Sequence, residues 1–343
     1  MHVSILFPGQ GSQHAGQARQ LLADFPYARV VFEEASDATH DDLLRLCTHD
    51  DAGPQLTLTE FAQPAILTTS LAWWKIWQRE MGLIAQSAAG HSLGEYSALT
   101  ASQAIPLADV VALVRLRGQF MQEAVPLGVG GMSALLGGEA SKVEALCRAA
   151  TESPQSLVEP ANYNAPGQIV VAGHLSALER AERLAREDKM YGVRKCVMLP
   201  VSAPFHCSLM LPVAEKFQVF LERIPWKTPQ FDLAYNVLGR IPDAPSFHEH
   251  PTSGHLNSSF LVRQNLVKQI ASPVLWQQCV TDLIDKGATF FVEMGPSRVL
   301  TGLMKRINPN VRTFALDSAL SLRDIQKGLS MSYEAQQDKE EPL

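Results

Sequence analysis

The sequence predicts an α/β protein, in which a large domain with a parallel β-sheet carries a smaller inserted βαββαβ domain. Short apolar runs such as residues 3–7 end in glycine-rich turns, and helical patterns dominate from residue 16 to 79. Between residues 128 and 200, short strand patterns instead alternate with two short helical ones. Strands separated by long helices are typical of parallel sheets, and 343 residues are enough for both domains.

The elements of the large domain come first and last in the chain. Residues 3–7 predict a buried strand that feeds the loop at 8–13, and residues 83–89 predict a second strand. Residues 290–294 predict a strand that closes the same sheet. We expect the large domain to be discontinuous.

The small domain has strand patterns at 132–136, 158–163, 168–172 and 193–199. Capping-box sequences, Ser141 to Glu144 and Ser176 to Glu179, predict the starts of its two helices. The order βαββαβ is that of a ferredoxin-like domain. The predicted domains are residues 1–127 with 201–320, residues 128–200, and a partly disordered C-terminal extension at 321–343, whose last dozen residues resemble a frayed tail.

Composition argues against several classes of protein. Hydrophobic residues make up 46% and charged residues 19%, and the formal net charge is −6. Without long runs of Lys and Arg, this balance does not favour nucleic-acid binding. No stretch approaches the ~18 apolar residues that a membrane span needs, and no signal-peptide pattern opens the chain.

Cysteine usage indicates a reducing compartment. The five cysteines, which include no Cys-x-x-Cys pair, are Cys47, Cys147, Cys196, Cys207 and Cys279. An odd number of scattered cysteines suggests neither a disulfide framework nor a zinc site. We therefore expect a cytoplasmic protein, without a metal or other cofactor.

A nucleophile-elbow pattern follows the second predicted strand. Residues 90–94 read Gly-His-Ser-Leu-Gly, which matches G-x-S-x-G, and a helical pattern begins directly afterwards. Strand, tight turn and helix form the context in which this pattern exposes a serine hydroxyl at a helix N-terminus. Five residues also match by chance, but the context favours Ser92 as a nucleophile in an α/β-hydrolase-like domain.

A serine hydroxyl needs a base, and His206 is the candidate among ten histidines. It lies just after the small domain, where the chain returns to the large one, and domain junctions form clefts. A partly exposed loop histidine is the alternative.

Arg117 lies on the apolar face of a helix predicted at residues 107–125. At 100° per residue, one narrow stripe contains Val110, Val114, Arg117 and Met121. A buried guanidinium needs an anionic partner, and its planar fork suits a carboxylate. That partner is either a substrate carboxylate or an internal Asp or Glu.

Five segments together resemble a known family. They are Phe7 to Gln13 (Phe-Pro-Gly-Gln-Gly-Ser-Gln), Gly90 to Glu95 (Gly-His-Ser-Leu-Gly-Glu), Arg117-Gly118, Ser202 to His206 (Ser-Ala-Pro-Phe-His) and Glu293 to Ser297 (Glu-Met-Gly-Pro-Ser). In this order they resemble the signatures of the malonyl-CoA:acyl carrier protein transacylase family, across roughly residues 3 to 317. A set of five motifs is far more specific than any one of them.

The resemblance implies roles for individual residues. Ser92 would be acylated and His206 would be its base, oriented by the backbone carbonyl of Gln269 rather than by an aspartate. The backbone N–H groups of Gln10 and Leu93 would form the oxyanion hole. Arg117 would bind the malonyl carboxylate, in a substrate site that also includes Gln269 and Phe205.

The resemblance also implies substrate and partners. Leu93 after the nucleophile and Phe205 before the base comply with the family's trend for malonyl selectivity, which disfavours methylmalonyl without excluding it. Malonyl-CoA and an acyl carrier protein would be the partners of a monomeric enzyme. Such proteins serve fatty acid or polyketide synthesis, and the sequence leaves the pathway open.

Two other functions remain to be distinguished. A proofreading acyl hydrolase of the same fold would use the same serine and histidine but pass the acyl group to water, and it has no use for a carboxylate-binding arginine. A non-catalytic scaffold would not need serine, histidine and arginine together.

Two surface features complete the sequence-based expectations. Residues 239–259 predict an exposed loop, in which His248, His250 and His255 lack the spacing of a metal site. Lys189, Arg194 and Lys195 are candidates for a basic patch that meets an acidic carrier protein, with ordinary surface charge as the alternative.

Overall fold

The structure is a computed structural model, and it describes residues 2–83, 85–126, 128–201, 203–243 and 258–340. The strands are β1 (Val3–Phe7), β2 (Ser87–Gly90), β3 (Gly130–Leu136), β4 (Val158–Ala165), β5 (Gln168–His174), β6 (Lys195–Met198), β7 (Asp232–Ala234), β8 (Phe290–Met294) and β9 (Arg312–Leu316). The α-helices are α1 (Arg19–Asp24), α2 (Arg29–Thr39), α3 (Leu43–Thr48), α4 (Thr59–Met81), α5 (Gly94–Ala101), α6 (Leu107–Glu123), α7 (Ala140–Ala150), α8 (Leu175–Glu187), α9 (Leu211–Glu222), α10 (Ser258–Ile270), α11 (Trp276–Asp285), α12 (Val299–Ile307) and α13 (Ala319–Glu340).

The chain divides into two compact units. Unit 1 comprises Met1–Val114, Pro229–Leu233 and Leu283–Leu343, and unit 2 comprises Arg115–Thr228 and Ala234–Asp282. Unit 2 thus takes in more than the predicted small domain, since it also includes α9 and α10. The predicted domain boundaries near residues 128 and 200 stay a prediction.

Unit 1 is built around a parallel sheet. Its described strands lie in the order β7-β2-β1-β8-β9, and β1 pairs in parallel with both β2 and β8. Every residue of β1 and of β8 is buried, as expected of parallel strands that are covered on both faces. The predicted α/β class is confirmed, and β8 begins and ends where the sequence predicted.

Strand β2 starts later than predicted. The Gln86 side chain accepts the N–H of Val3 at 2.7 Å, where a strand residue would offer its backbone carbonyl. The Gln86 N–H donates in return to the Val3 carbonyl, at 3.1 Å. Regular pairing therefore begins at Ser87, opposite Ser4.

Unit 2 contains the predicted ferredoxin-like arrangement. Its antiparallel sheet has the described order β4-β5-β3-β6, with α7 following β3 and α8 following β5. The apolar sides of both helices pack in one buried cluster with this sheet, through Val143 and Leu146 of α7 and Leu178 and Ala181 of α8.

The capping-box predictions for α7 and α8 were wrong, although both helices exist. Helix α7 begins at Ala140 and α8 at Leu175, and neither N-cap residue forms a side-chain capping bond. Tertiary partners hold the side chains that the boxes require. The Glu144 carboxylate accepts from the Tyr163 hydroxyl at 2.8 Å, and the Ser176 hydroxyl lies 3.0 Å from that of Ser156.

The C-terminal segment is more regular than predicted. Helix α13 reaches Glu340, so residues 332–340 are helical rather than frayed. Leu322, Ile325 and Leu329 are buried, and this part of the segment is therefore packed in unit 1. Of the predicted loop at 239–259, residues 244–257 with their three histidines lie outside the described residues. Among the helices that the structure describes, none is long and apolar enough to cross a membrane.

Candidate active site

Ser92 lies in the tight turn between β2 and α5 in unit 1. Its φ of 52° is left-handed, a conformation that costs a non-glycine residue roughly 1–2 kcal/mol. The turn is held by hydrogen bonds from the His91 N–H to the Phe7 carbonyl and from the Gly94 N–H to the His91 carbonyl, both 2.9 Å. Ser92 is partly exposed, whereas Leu93 is buried. The predicted tight turn between a strand and a helix is therefore present, with Ser92 in a left-handed conformation.

The two flanking glycines are required by close backbone contacts. A Cβ on Gly90 would lie 1.8 Å from the carbonyl carbon of Gly94, and a Cβ on Gly94 would lie 2.0 Å from the carbonyl oxygen of Phe7. Backbone atoms of a packed strand and helix cannot move out of such overlaps cheaply. The glycines of G-x-S-x-G thus permit the turn.

Replacement of Gly90 by alanine is expected to cost more than about 4 kcal/mol of stability, because the new methyl overlaps the main chain of α5. Thermal unfolding of the purified variant measures this loss. Gly302→Ala is the matched control, since nothing lies within 4 Å of its added Cβ in α12. Helix propensity predicts that the control is slightly stabilised. Equal melting temperatures for the two variants would contradict the steric requirement.

The loop that follows β1 packs against the elbow within unit 1. A Cβ on Gly9 would lie 2.5 Å from the carbonyl oxygen of His91, so the two main chains are in direct contact. The neighbouring Gln10 is held by a hydrogen bond of 3.2 Å from its side-chain amide to the Thr59 hydroxyl. Leu93 is the N-cap residue of α5. The two residues predicted for the oxyanion hole therefore lie in adjoining segments.

The motif at 293–297 has a structural role in the same unit. The buried Glu293 carboxylate accepts the N–H groups of Leu300 and Thr301, at 3.0 and 2.7 Å, and also the Thr301 hydroxyl. These contacts cap α12, whose first N–H groups have no partner within the helix. Burial raises the pKa of the Glu293 carboxyl above its ordinary value, while the hydrogen bonds act in the opposite direction. A Cβ on Gly295 would lie 2.3 Å from the Pro8 ring, so this motif also adjoins the loop after β1.

His206 lies in unit 2 and is almost fully buried, with 4% of its surface exposed. Its Nδ1 lies 2.8 Å from the backbone carbonyl oxygen of Gln269. A carbonyl oxygen only accepts, so Nδ1 carries the proton and donates it to this bond. The Nε2 atom of the neutral ring is then the proton acceptor, as a general base requires.

The position of Gln269 in α10 explains why its carbonyl is available. It is the last residue but one of this helix, and the last four carbonyls of a helix lack an intrahelical partner. They also carry the partial negative charge of the helix C-terminus. A carbonyl in this position orients the ring and favours a positive charge on it, as an aspartate does in a catalytic triad.

Arg117 is buried in α6, with 1% of its surface exposed. The other members of its predicted stripe, Val110, Val114 and Met121, are buried as well. Its Nη2 donates to the side-chain oxygen of Gln269 at 3.0 Å. One partner of this guanidinium is therefore a neutral amide.

Gln269 thus contacts both the predicted base and the predicted carboxylate-binding arginine. Its carbonyl holds His206 and its side-chain oxygen holds Arg117, while its side-chain NH₂ donates to Asn236 at 3.4 Å. Asn236 is fully buried and fixes the orientation of the amide. The sequence reasoning missed Asn236, because no motif surrounds it.

Phe205 is buried directly before His206, with 7% of its surface exposed. Its contact with a substrate stays a prediction. Among the described residues, no group of three or more His, Cys, Asp or Glu side chains is arranged to hold a metal ion.

Comparison with known proteins gives matches along nearly the whole chain. A family model described as acyl transferase domain matches residues 5–311. The malonyl CoA-acyl carrier protein transacylase of Salmonella typhimurium is 39% identical over 319 residues, which are 93% of this chain and 97% of that protein. The protein of the same name from Bacillus subtilis is 39% identical over 92% of this chain and 93% of its own length.

Solved structures give the same result. A malonyl-CoA:acyl carrier protein transacylase from Xanthomonas oryzae is 38% identical, with a TM-score of 0.86. The match covers 96% of this chain and 99% of that one. A second structure holds a type II PKS acyl-carrier protein in complex with its malonyl-transacylase. The matched chain is 37% identical, with a TM-score of 0.85. The match covers 94% of this chain and 98% of that one.

Proposed function

This chain belongs to the malonyl-CoA:acyl carrier protein transacylase family, and we propose that it moves malonyl from malonyl-CoA to the phosphopantetheine thiol of an acyl carrier protein. The malonyl group passes through an ester on Ser92. Fatty acid and polyketide synthesis both use this reaction. Malonyl-CoA and the carrier protein are the partners, and no cofactor takes part in the chemistry.

In the first half-reaction, His206 Nε2 accepts the proton of the Ser92 hydroxyl as its oxygen attacks the thioester carbonyl. The N–H groups of Gln10 and Leu93 stabilise the oxyanion of the tetrahedral intermediate, and one such donor is worth about 10²- to 10³-fold in rate. The C–S bond then breaks, and CoA leaves as a thiol with the proton from His206. The product is malonyl-Ser92.

In the second half-reaction, His206 removes the proton of the carrier protein's thiol. The thiolate attacks the ester carbonyl of malonyl-Ser92, the C–O bond breaks, and the Ser92 oxygen recovers the proton from His206. The malonyl group ends as a thioester on the carrier protein, and the enzyme returns to its starting state. This ping-pong sequence consumes no other reactant.

The contacts of Gln269 with both His206 and Arg117 support this function most directly. These two contacts connect the base with a buried cation that suits a carboxylate. Attack on the thioester carbonyl is thereby linked to recognition of an acyl group that carries a carboxylate. A hydrolase that clears varied acyl chains needs the base but not the cation. Phe205 would restrict space near the acyl α-carbon, and one methyl group is worth about 10- to 200-fold in such a pocket.

A transfer assay with purified holo acyl carrier protein tests the function. Malonyl-, methylmalonyl- and acetyl-CoA are compared, and both acyl-carrier product and free acid are measured. We expect malonyl transfer to exceed transfer of the other two acyl groups and to exceed malonyl hydrolysis. Hydrolysis that outpaces transfer would instead identify a proofreading acyl hydrolase.

The three basic residues predicted to meet a carrier protein lie near one another in unit 2. Lys189, Arg194 and Lys195 line a cavity of about 260 Å³ together with Arg186 and Glu182. Glu182 forms an ion pair with Arg186, so part of the positive charge is balanced locally. Docking of an acidic carrier protein at this patch, the monomeric state and the cytoplasmic location stay predictions.

A further inference from the structure

The turn that carries His206 has a conformation that needs support. His206 has a left-handed φ of 61°, which a non-glycine residue keeps only where surrounding contacts enforce it. Contacts within the segment include hydrogen bonds from the Phe205 N–H to the Ala203 carbonyl at 3.2 Å and from the Met210 N–H to the Cys207 carbonyl at 2.9 Å. Local bonds of this kind restrain the shape of the turn but not its position in unit 2.

A contact from outside the segment comes from strand β4. The Glu159 carboxylate accepts the backbone N–H of Ser208 at 2.7 Å, two residues after the base. Ser208 opens the short helical turn that leads into α9, where a negative charge is favoured. Hydrogen bonds to charged groups are stronger than those between neutral groups. Glu159 therefore ties the turn of the base to the sheet of unit 2.

The same strand also holds the chain beyond Gln269. The Val274 N–H donates to the Ala161 carbonyl at 2.8 Å, and the Tyr163 N–H donates to the Val274 carbonyl at 2.9 Å. Val274 follows the end of α10, the helix whose Gln269 carbonyl orients His206. Strand β4 thus contacts the chain close to both members of the His206–Gln269 pair.

We infer that Glu159 is a positioning residue for His206: its carboxylate holds the turn at 206–208 in the place where Nδ1 meets the Gln269 carbonyl. This role rests on the proposed function of His206 as the base. Glu159 touches neither substrate nor reacting atoms in this role, and it acts only through the backbone of Ser208.

The surroundings of Glu159 allow its role to be tested without loss of the fold. It is half-buried, and it lines an open cavity of about 630 Å³ together with Glu144, Tyr163, His206 and Ser208. Water can therefore reach the Ser208 N–H when the carboxylate is removed, which limits the loss of stability. The restraint on the position of His206 is lost, however, because a water molecule does not link the turn to β4.

Steady-state malonyl transfer by Glu159→Ala, Glu159→Gln and Glu144→Ala tests the inference. A misplacement of about 1 Å can cost 10²-fold in rate, so we expect kcat of Glu159→Ala to fall by about 10- to 100-fold. The KM for malonyl-CoA should change less than about 2-fold, since Arg117 keeps its contact with Gln269. Glu159→Gln should recover most of kcat, because its amide oxygen still accepts the Ser208 N–H.

Glu144→Ala is the matched control. Glu144 lines the same cavity but accepts from the Tyr163 hydroxyl, so its removal should leave kcat near the wild-type value. The inference is overturned by wild-type kcat in Glu159→Ala, by an equal loss in Glu144→Ala, or by a glutamine variant as slow as the alanine one. Thermal unfolding measures the folded fraction of Glu159→Ala. The inference is also overturned if kcat of this variant falls only in proportion to that folded fraction. A wild-type protein that does not transfer malonyl would refute the proposed function instead.

Discussion

Replacement of Ser92 by alanine is expected to remove the malonyl-enzyme and to lower the rate of malonyl transfer by about 10⁴- to 10⁶-fold, because the ester cannot form without the hydroxyl. The loss should be chemical and not structural. Alanine keeps the Cβ that already occupies the left-handed φ of 52°, so the backbone strain of the elbow is unchanged.

Intact-protein mass spectrometry after incubation with malonyl-CoA measures the first effect directly. Wild-type protein should gain the mass of one malonyl group, and Ser92→Ala should gain none. Ser141→Ala changes an exposed serine in α7 and should be labelled like the wild type. Labelling of Ser92→Ala at another residue would refute Ser92 as the nucleophile.

Replacement of Arg117 by alanine is expected to lower malonyl transfer by about 10²- to 10³-fold, because loss of one partner of a buried charge pair costs 2–5 kcal/mol. Acetyl transfer should be retained or increased, since acetyl carries no carboxylate. Arg117→Lys keeps the charge but loses the planar fork, so its rate of malonyl transfer should lie between those of the wild type and Arg117→Ala.

The ratio of malonyl to acetyl transfer is the informative quantity for Arg117. Gln269 loses one hydrogen bond in Arg117→Ala, and any shift of its carbonyl would disturb His206. That disturbance would slow both substrates alike and leave the ratio unchanged. Arg115→Ala, on the same helix, should also leave the ratio unchanged. Equal losses for malonyl and acetyl in Arg117→Ala would contradict the carboxylate-binding role.

The elbow shows how much a short segment can predict. Two glycines around Ser92, a strand before it and a helix after it were all readable from the sequence, and the overlaps at Gly90 and Gly94 supply the physical reason. The family resemblance drawn from five motifs is confirmed by the acyl transferase domain model that matches residues 5–311 and by the transacylase of Salmonella typhimurium, which is 39% identical. The oxyanion-hole donors and the roles of His206 and Arg117 in catalysis remain predictions.

The capping boxes show where sequence reasoning failed. Residues of the right type stood at the right spacing, but Tyr163 and Ser156 hold the side chains of Glu144 and Ser176. Strand β2 was predicted too long for a related reason, since the Gln86 side chain competes with the backbone for a hydrogen bond. Polar side chains form hydrogen bonds with residues that are distant in the sequence, so the local sequence does not predict these partners.

The sequence by itself determined the βαββαβ order of the small domain, the elbow at Ser92 and the buried stripe at Arg117, because periodicity and glycine placement act over a few residues. Only the tertiary structure decided that the side chain of Gln269 meets Arg117, 152 residues away, and that Glu159 meets Ser208. A hydrogen bond depends on where two atoms lie to within a few tenths of an ångström, and chain folding over long separations sets that position.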